Sequence, residues 1–171
     1  MERVGQIAFI AMCLTVTAVG VQRLVANGST SAARKAPPPI EPGTRLELHD
    51  ELRAGPSRAS LILGLSTACQ FCTESMGFYR TLAELDVVRD GRLRLAVVSL
   101  QTPDATRLYL SEHRLAIGPV VQFRESGVPI ASTPTVILVK GDGVVERSWA
   151  GQLAKEEERT LIKTARDLVN R

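Results

Sequence analysis

Ser60-Leu61-Ile62-Leu63-Gly64-Leu65-Ser66-Thr67-Ala68-Cys69-Gln70-Phe71-Cys72 is the stretch that decides how this chain folds. Its first half has no polar side chain from Leu61 to Leu65. That is the pattern of a short strand buried on both faces. Beyond it, Cys72, Met76, Tyr79 and Ala83 recur at helical spacing, with Phe78, Leu82 and Leu85 beside them, which predicts a helix from about Phe71 to Arg89. Cys69 therefore stands where a strand hands over to a helix. At such a place unpaired backbone N–H groups and the positive end of the helix favour a thiolate, the reactive form of cysteine. Cys72 lies one helical turn on, within reach of a disulfide. The spacing predicts Cys69 as nucleophile and Cys72 as the resolving thiol.

Working outward, Thr44 to Leu48 alternates and predicts a short edge strand. Leu93 to Val98 predicts another strand. Thr102 as N-cap with Pro103 at the first position predicts a helix carrying Leu108, Leu115 and Ala116, which Gly118-Pro119 ends. Val120 to Phe123 reads as a short strand and Thr135 to Val139 as a buried, β-branched one. Gly141-Asp142-Gly143 turns the chain back into a hairpin partner from Val144 to Trp149. A last helix is expected over about 154–170, with Glu156, Glu157 and Glu158 at its start and Lys163 and Arg166 toward its end, as the helix dipole favours. Strands alternating with helices and closing in a hairpin predict an α/β fold, a three-layer sandwich with a mixed central sheet flanked by helices.

The chain has 171 residues. Residues 4–21 carry no charge. Eighteen residues at ~1.5 Å rise span ~27 Å, close to the hydrocarbon thickness of a bilayer. We read residues 1–22 as a transmembrane or signal-anchor segment; a cleaved signal peptide is the alternative. Residues 23–43 read as a linker rich in Ser and Pro, stiffened by Pro37-Pro38-Pro39 and Pro42. The domain is expected at 44–171, anchored to the membrane and placed outside the cytoplasm on the periplasmic side. The basic residues flanking the apolar segment do not themselves favour export.

The net charge is +3 with acids and bases interspersed, and no basic stripe with interleaved aromatics gives nucleic acid a surface to bind. Three cysteines are too few for a disulfide scaffold. One close pair plus Cys13 in the apolar segment points to redox chemistry or metal binding.

Three features together carry a resemblance: Cys69-Gln70-Phe71-Cys72 after a buried strand, Ser132-Thr133-Pro134 just before another, and Gly141-Asp142-Gly143-Val144-Val145 followed by Trp149-Ala150-Gly151 and a closing helix. The pattern resembles the thioredoxin-like superfamily, more narrowly the membrane-anchored thiol–disulfide oxidoreductases of bacterial cell envelopes. The resemblance implies a thioredoxin-like fold and a cis bond at Thr133–Pro134 beside the cysteines. It also implies that the backbone of Thr133 pairs with an extended substrate segment, with Gln70 and Phe71 bordering the groove. It implies protein disulfide or dithiol substrates and a membrane or envelope redox partner, with no cofactor and no metal. Several positions depart from that family. Ser66-Thr67-Ala68 stands where tryptophan is common, Gln70-Phe71 lacks the usual proline, and Gly77 replaces a helix proline. Leu63 occupies the place of the buried acid.

Two other chemistries fit the thiol pair. Soft sulfur suits Cu(I), so a copper-binding or metallochaperone domain is one alternative. A thiol peroxidase is the other; it needs a threonine and a proline before its cysteine, and here Ser66 precedes Cys69 by three while Ile62 stands where it needs proline. For zinc, His49 and His113 are not spaced as a ligand pair. We read His49 as a surface residue and His113 as a polar helix residue.

Overall fold

The computed structural model describes residues 40–53 and 59–171. The apolar segment at 4–21 and most of the linker lie outside the described residues. Among the described residues, five strands form one sheet in the order β3-β2-β1-β4-β5. They are β1 (Ala59–Leu65), β2 (Leu93–Ser99), β3 (Val120–Gln122), β4 (Thr135–Val139) and β5 (Val145–Ala150). β1, β2 and β3 are parallel; β4 and β5 are antiparallel to their neighbours. The helices are α1 (Gln70–Glu74), α2 (Met76–Ala83), α3 (Asp86–Arg89), α4 (Pro103–Glu112), α5 (Phe123–Ser126) and α6 (Lys155–Val169).

Strand parity divides the core. Leu63 is in register with Val97 on one side and Val136 on the other, and Val136 with Trp149. These four side chains make a row on one face, where they pack with Cys72, Met76, Tyr79, Leu82, Leu161 and Ala165. Ile62, Ala96, Val98, Ile137 and Val139 point to the other face. This alternation is the period of two that a pleated strand imposes, and both sets are apolar because the sheet is covered on both sides.

The two covers are unequal. α1, α2, α3, α4 and α6 all contribute to the first face. The second is closed by Leu46, Leu48 and Leu52, with Val128 and the short α5. Of the two flanking layers expected to be helical, one is therefore mostly irregular chain. Gly127 holds it together: at φ +70° it packs so close that a Cβ there would sit 1.8 Å from the Glu47 carbonyl oxygen. Only glycine fits.

Three expected elements differ. Thr44 to Leu48 alternates in burial but forms a single bridge, Arg45 to Val144, because Leu46 N–H bonds to Gly143 in the hairpin turn. The helix expected over 71–89 is three pieces. It breaks at Ser75, whose hydroxyl donates back to the Phe71 carbonyl at 2.7 Å, a competition that bends helices. Gly77, which stands in for the family's helix proline, lies inside α2, one residue beyond its start. α4 ends at Glu112 rather than running to Ala116: Leu115 N–H bonds to Leu110 O and Arg114 N–H to Ser111 O. This is a Schellman end with Arg114 at φ 55° where glycine is usual. Packing also reaches back to Ile40, inside the stretch read as linker; its carbonyl accepts from the Ser148 hydroxyl at 2.8 Å.

Candidate active site

β1 delivers the chain to the cysteines. After Leu65 a turn through Ser66, Thr67 and Ala68 closes with Cys69 N–H on Ser66 O at 3.1 Å. Cys69 is the N-cap of α1, with extended backbone at φ −96° and ψ 112°. Its sulfur accepts the Cys72 N–H at 3.3 Å. Its carbonyl accepts the N–H groups of Cys72 and Thr73 at 3.1 and 3.2 Å. On the far side the Cys69 sulfur lies 3.4 Å from the Thr133 carbonyl. The Thr133–Pro134 bond is cis. The structure thus brings the Cys69–Cys72 pair and Thr133 together from two distant stretches of sequence.

The two sulfurs meet different surroundings. Cys69 is partly exposed and Cys72 fully buried. Burial alone would raise the Cys69 thiol, but hydrogen bonds from the Cys72 and Thr133 side chains, and from the backbone N–H groups of Cys72 and Phe71, outweigh it and lower its pKa. The Thr133 carbonyl can only accept, so its contact at 3.4 Å belongs to the protonated sulfur; the N–H donors of α1 favour the ion. Burial, followed by the hydrogen bond and charge of Cys69, pushes the Cys72 thiol up to about 12. The backbone of Ser66 pulls the other way. One thiol is thus primed and the other is held neutral.

Gln70 and Phe71 flank the pair at the surface. Gln70 donates to Glu74 at 2.8 Å. Phe71 is 55% exposed, a large apolar side chain left in solvent next to Cys69 and Cys72 in sequence. Leu63, where the resemblance implies a buried acid, is fully buried in the helix-bearing face. None of the main influences on either sulfur comes from a carboxylate or a histidine. The phenols of Tyr79 and Tyr109 lie near the pair, and burial raises both. Tyr109 is tied to Thr73 through their hydroxyls at 2.8 Å. Among the described residues no cluster of three or more His, Cys, Asp or Glu could hold a metal, and no helix is long and apolar enough to cross a membrane.

Sequence reasoning missed Gln101 and Tyr109. Gln101 follows β2, the strand parallel to β1, and its amide reaches the turn before Cys69. The carboxyl ends of adjacent parallel strands are where α/β sheets build sites, and only the register of β1 with β2 brings Gln101 to the cysteine turn.

No protein-family model matches the chain, and no curated protein matches it. Solved structures do. A candidate thiol:disulfide interchange protein DsbE from Chlorobium tepidum superposes with a TM-score of 0.60 at 12% identity, over 76% of this chain and 99% of that one. The thioredoxin domain of a thiol–disulfide oxidoreductase from Bacteroides vulgatus gives 0.55 at 13%, over 73% and 97%. A peroxiredoxin-like protein from Aquifex aeolicus gives 0.55 at 14%, over 78% and 90%. The fold is thioredoxin-like. In this thioredoxin-like frame the cysteine pair sits at the carboxyl end of β1, with the cis-proline segment entering β4 beside it.

Proposed function

We propose that this protein is a thiol–disulfide oxidoreductase that exchanges disulfides with protein substrates through Cys69 and Cys72. The observation that carries the reading is the division of labour between the sulfurs: one accessible with its pKa lowered, the other buried with its pKa raised. In the reducing direction the Cys69 thiolate attacks a substrate disulfide. A bond forms between Cys69 and one substrate sulfur, and the other substrate sulfur leaves with the electron pair. Cys72, giving its proton to solvent, attacks the Cys69 sulfur; the Cys69–Cys72 disulfide forms and the second substrate thiolate leaves. The oxidising direction runs the same steps backward. The backbone of Thr133 pairs with an extended substrate segment, and Phe71 and Gln70 border it. The electrons reside in the thiols, so no cofactor enters.

The uncharged segment at 4–21 supports a membrane anchor with the domain in the cell envelope, where a membrane or envelope redox partner resets the pair. Insulin reduction with a dithiol as electron source tests the activity: Cys69→Ala should abolish it, and Cys72→Ala should accumulate mixed disulfides. Wild-type turnover no faster than the dithiol alone would refute the reading. Protease protection of the full chain in spheroplasts tests the location.

A further inference from the structure

Both ends of the Gln101 amide reach the turn before Cys69, and its Oε1 also accepts the Ser99 hydroxyl at 3.4 Å. Its Oε1 accepts the Thr67 N–H at 3.0 Å, and its Nε2 donates to the Ser66 hydroxyl at 3.1 Å. The same hydroxyl accepts the Ala68 N–H at 3.3 Å, and the Ser66 carbonyl accepts the Cys69 N–H. Gln101 is itself fixed from behind. Its N–H donates to the Ser99 hydroxyl at 3.2 Å, and the Thr106 hydroxyl of α4 lies 2.8 Å from Ser99 Oγ. Ser99 and Thr106 are fully buried. A primary amide both donates and accepts, so it can clasp two consecutive residues that present a hydroxyl and an N–H.

We propose that Gln101 is a positioning residue for the second step of exchange: its amide holds the Ser66–Ala68 turn where that turn's backbone supports the buried Cys72 sulfur as it attacks. The inference rests on the exchange reading above. The Ser66 backbone favours ionised Cys72. The groups that favour ionised Cys69 belong to α1, Cys72 and Thr133, and none of them is bonded to Gln101. Removing the clasp should therefore slow resolution and spare the first attack.

Gln101→Met keeps the length of the side chain and removes its bonds to Thr67, Ser66 and Ser99. In the full chain, a mixed disulfide between Cys69 and 5-thio-2-nitrobenzoate reports resolution directly: Cys72 attacks the Cys69 sulfur, and the coloured thiolate leaves. Gln101→Met should slow its release about tenfold and move the pH profile about one unit alkaline, the effect of losing one net hydrogen bond to an ion. Alkylation of Cys69 and its pH profile should not change. Ser66→Ala, which loses the Gln101 and Ala68 bonds to its hydroxyl but leaves Thr67 N–H on Gln101, should shift release in the same direction by less. Unchanged release in Gln101→Met, or equal slowing of both steps with unmoved pH profiles, would overturn the proposal. Titration of Cys72 in a Cys69→Ala background gives a second reading that needs no substrate; Gln101→Met should raise that value, and an unmoved value overturns the proposal. If wild type fails on insulin, the exchange reading falls, while the titration still decides what Gln101 does to Cys72.

Discussion

α1 and α4 begin in the same way and end up doing different things. Each follows a parallel strand of the sheet, and each is preceded by a residue in extended conformation whose side chain accepts the N–H three residues on. At α4 the acceptor is Thr102 Oγ1, 3.4 Å from the Ala105 nitrogen. At α1 it is Cys69 Sγ, 3.3 Å from the Cys72 nitrogen. A hydroxyl oxygen is a good acceptor while neutral, so Thr102 caps its helix at any ordinary pH. A neutral thiol is a weak acceptor, and the cap becomes strong only when the sulfur ionises. One geometry thus yields stability with oxygen and reactivity with sulfur.

Exchanging the two atoms breaks that comparison most severely. Cys69→Ser keeps a capping oxygen and should leave the fold at least as stable, by thermal melting, while insulin reduction disappears. Retained turnover would mean that Cys69 is not the nucleophile. Next in size is the pH dependence of the reduced protein. Cys69, with its folded pKa lowered, adds stability above its unfolded value of about 8.5, lost as pH falls through the folded value. Cys72, with its folded pKa raised to about 12, adds stability that is full below about 8.5 and lost as pH rises toward it. Reduced wild type should therefore lose stability between about pH 9 and 11 more steeply than Cys72→Ala, by up to about 1.4 kcal/mol per pH unit, in urea melts. Equal slopes would remove Cys72 as the cause.

Thr102→Ala should cost about 1 kcal/mol in urea unfolding and leave insulin turnover unchanged. A matching fall in turnover would show that α4 is not merely a support. The smallest effect belongs to Phe71→Ala: melting within about 0.5 kcal/mol of wild type, as for an exposed side chain, with KM for a protein disulfide raised a few-fold and that for a small aromatic disulfide unmoved. Equal changes for both substrates would argue against a groove beside Phe71.

Much of this was legible in the sequence. The buried strands announced themselves through continuous apolar runs, and the start of α4 through Thr102-Pro103. The breaks were harder. The helix end at Arg114 carries no glycine, so the left-handed residue gave no signal; its hydrogen bonds come from Leu115 and Arg114 folding back on α4. The break at Ser75 depends on one hydroxyl choosing a backbone carbonyl over water. Cys69, Cys72 and the Thr133-Pro134 segment stood out by residue type. Gln101 did not, because its role comes from the pairing of β1 with β2, which puts Leu65 opposite Ser99. That register is a tertiary fact no local pattern encodes.

The depth difference between the two sulfurs has a consequence for sequence of events. With Cys72 buried and Cys69 partly exposed, the proposed exchange lets an incoming partner be handled by one atom only, and the hidden atom acts only on what the first has already caught. On that proposal the pair works as a turnstile, admitting one client at a time and closing behind it.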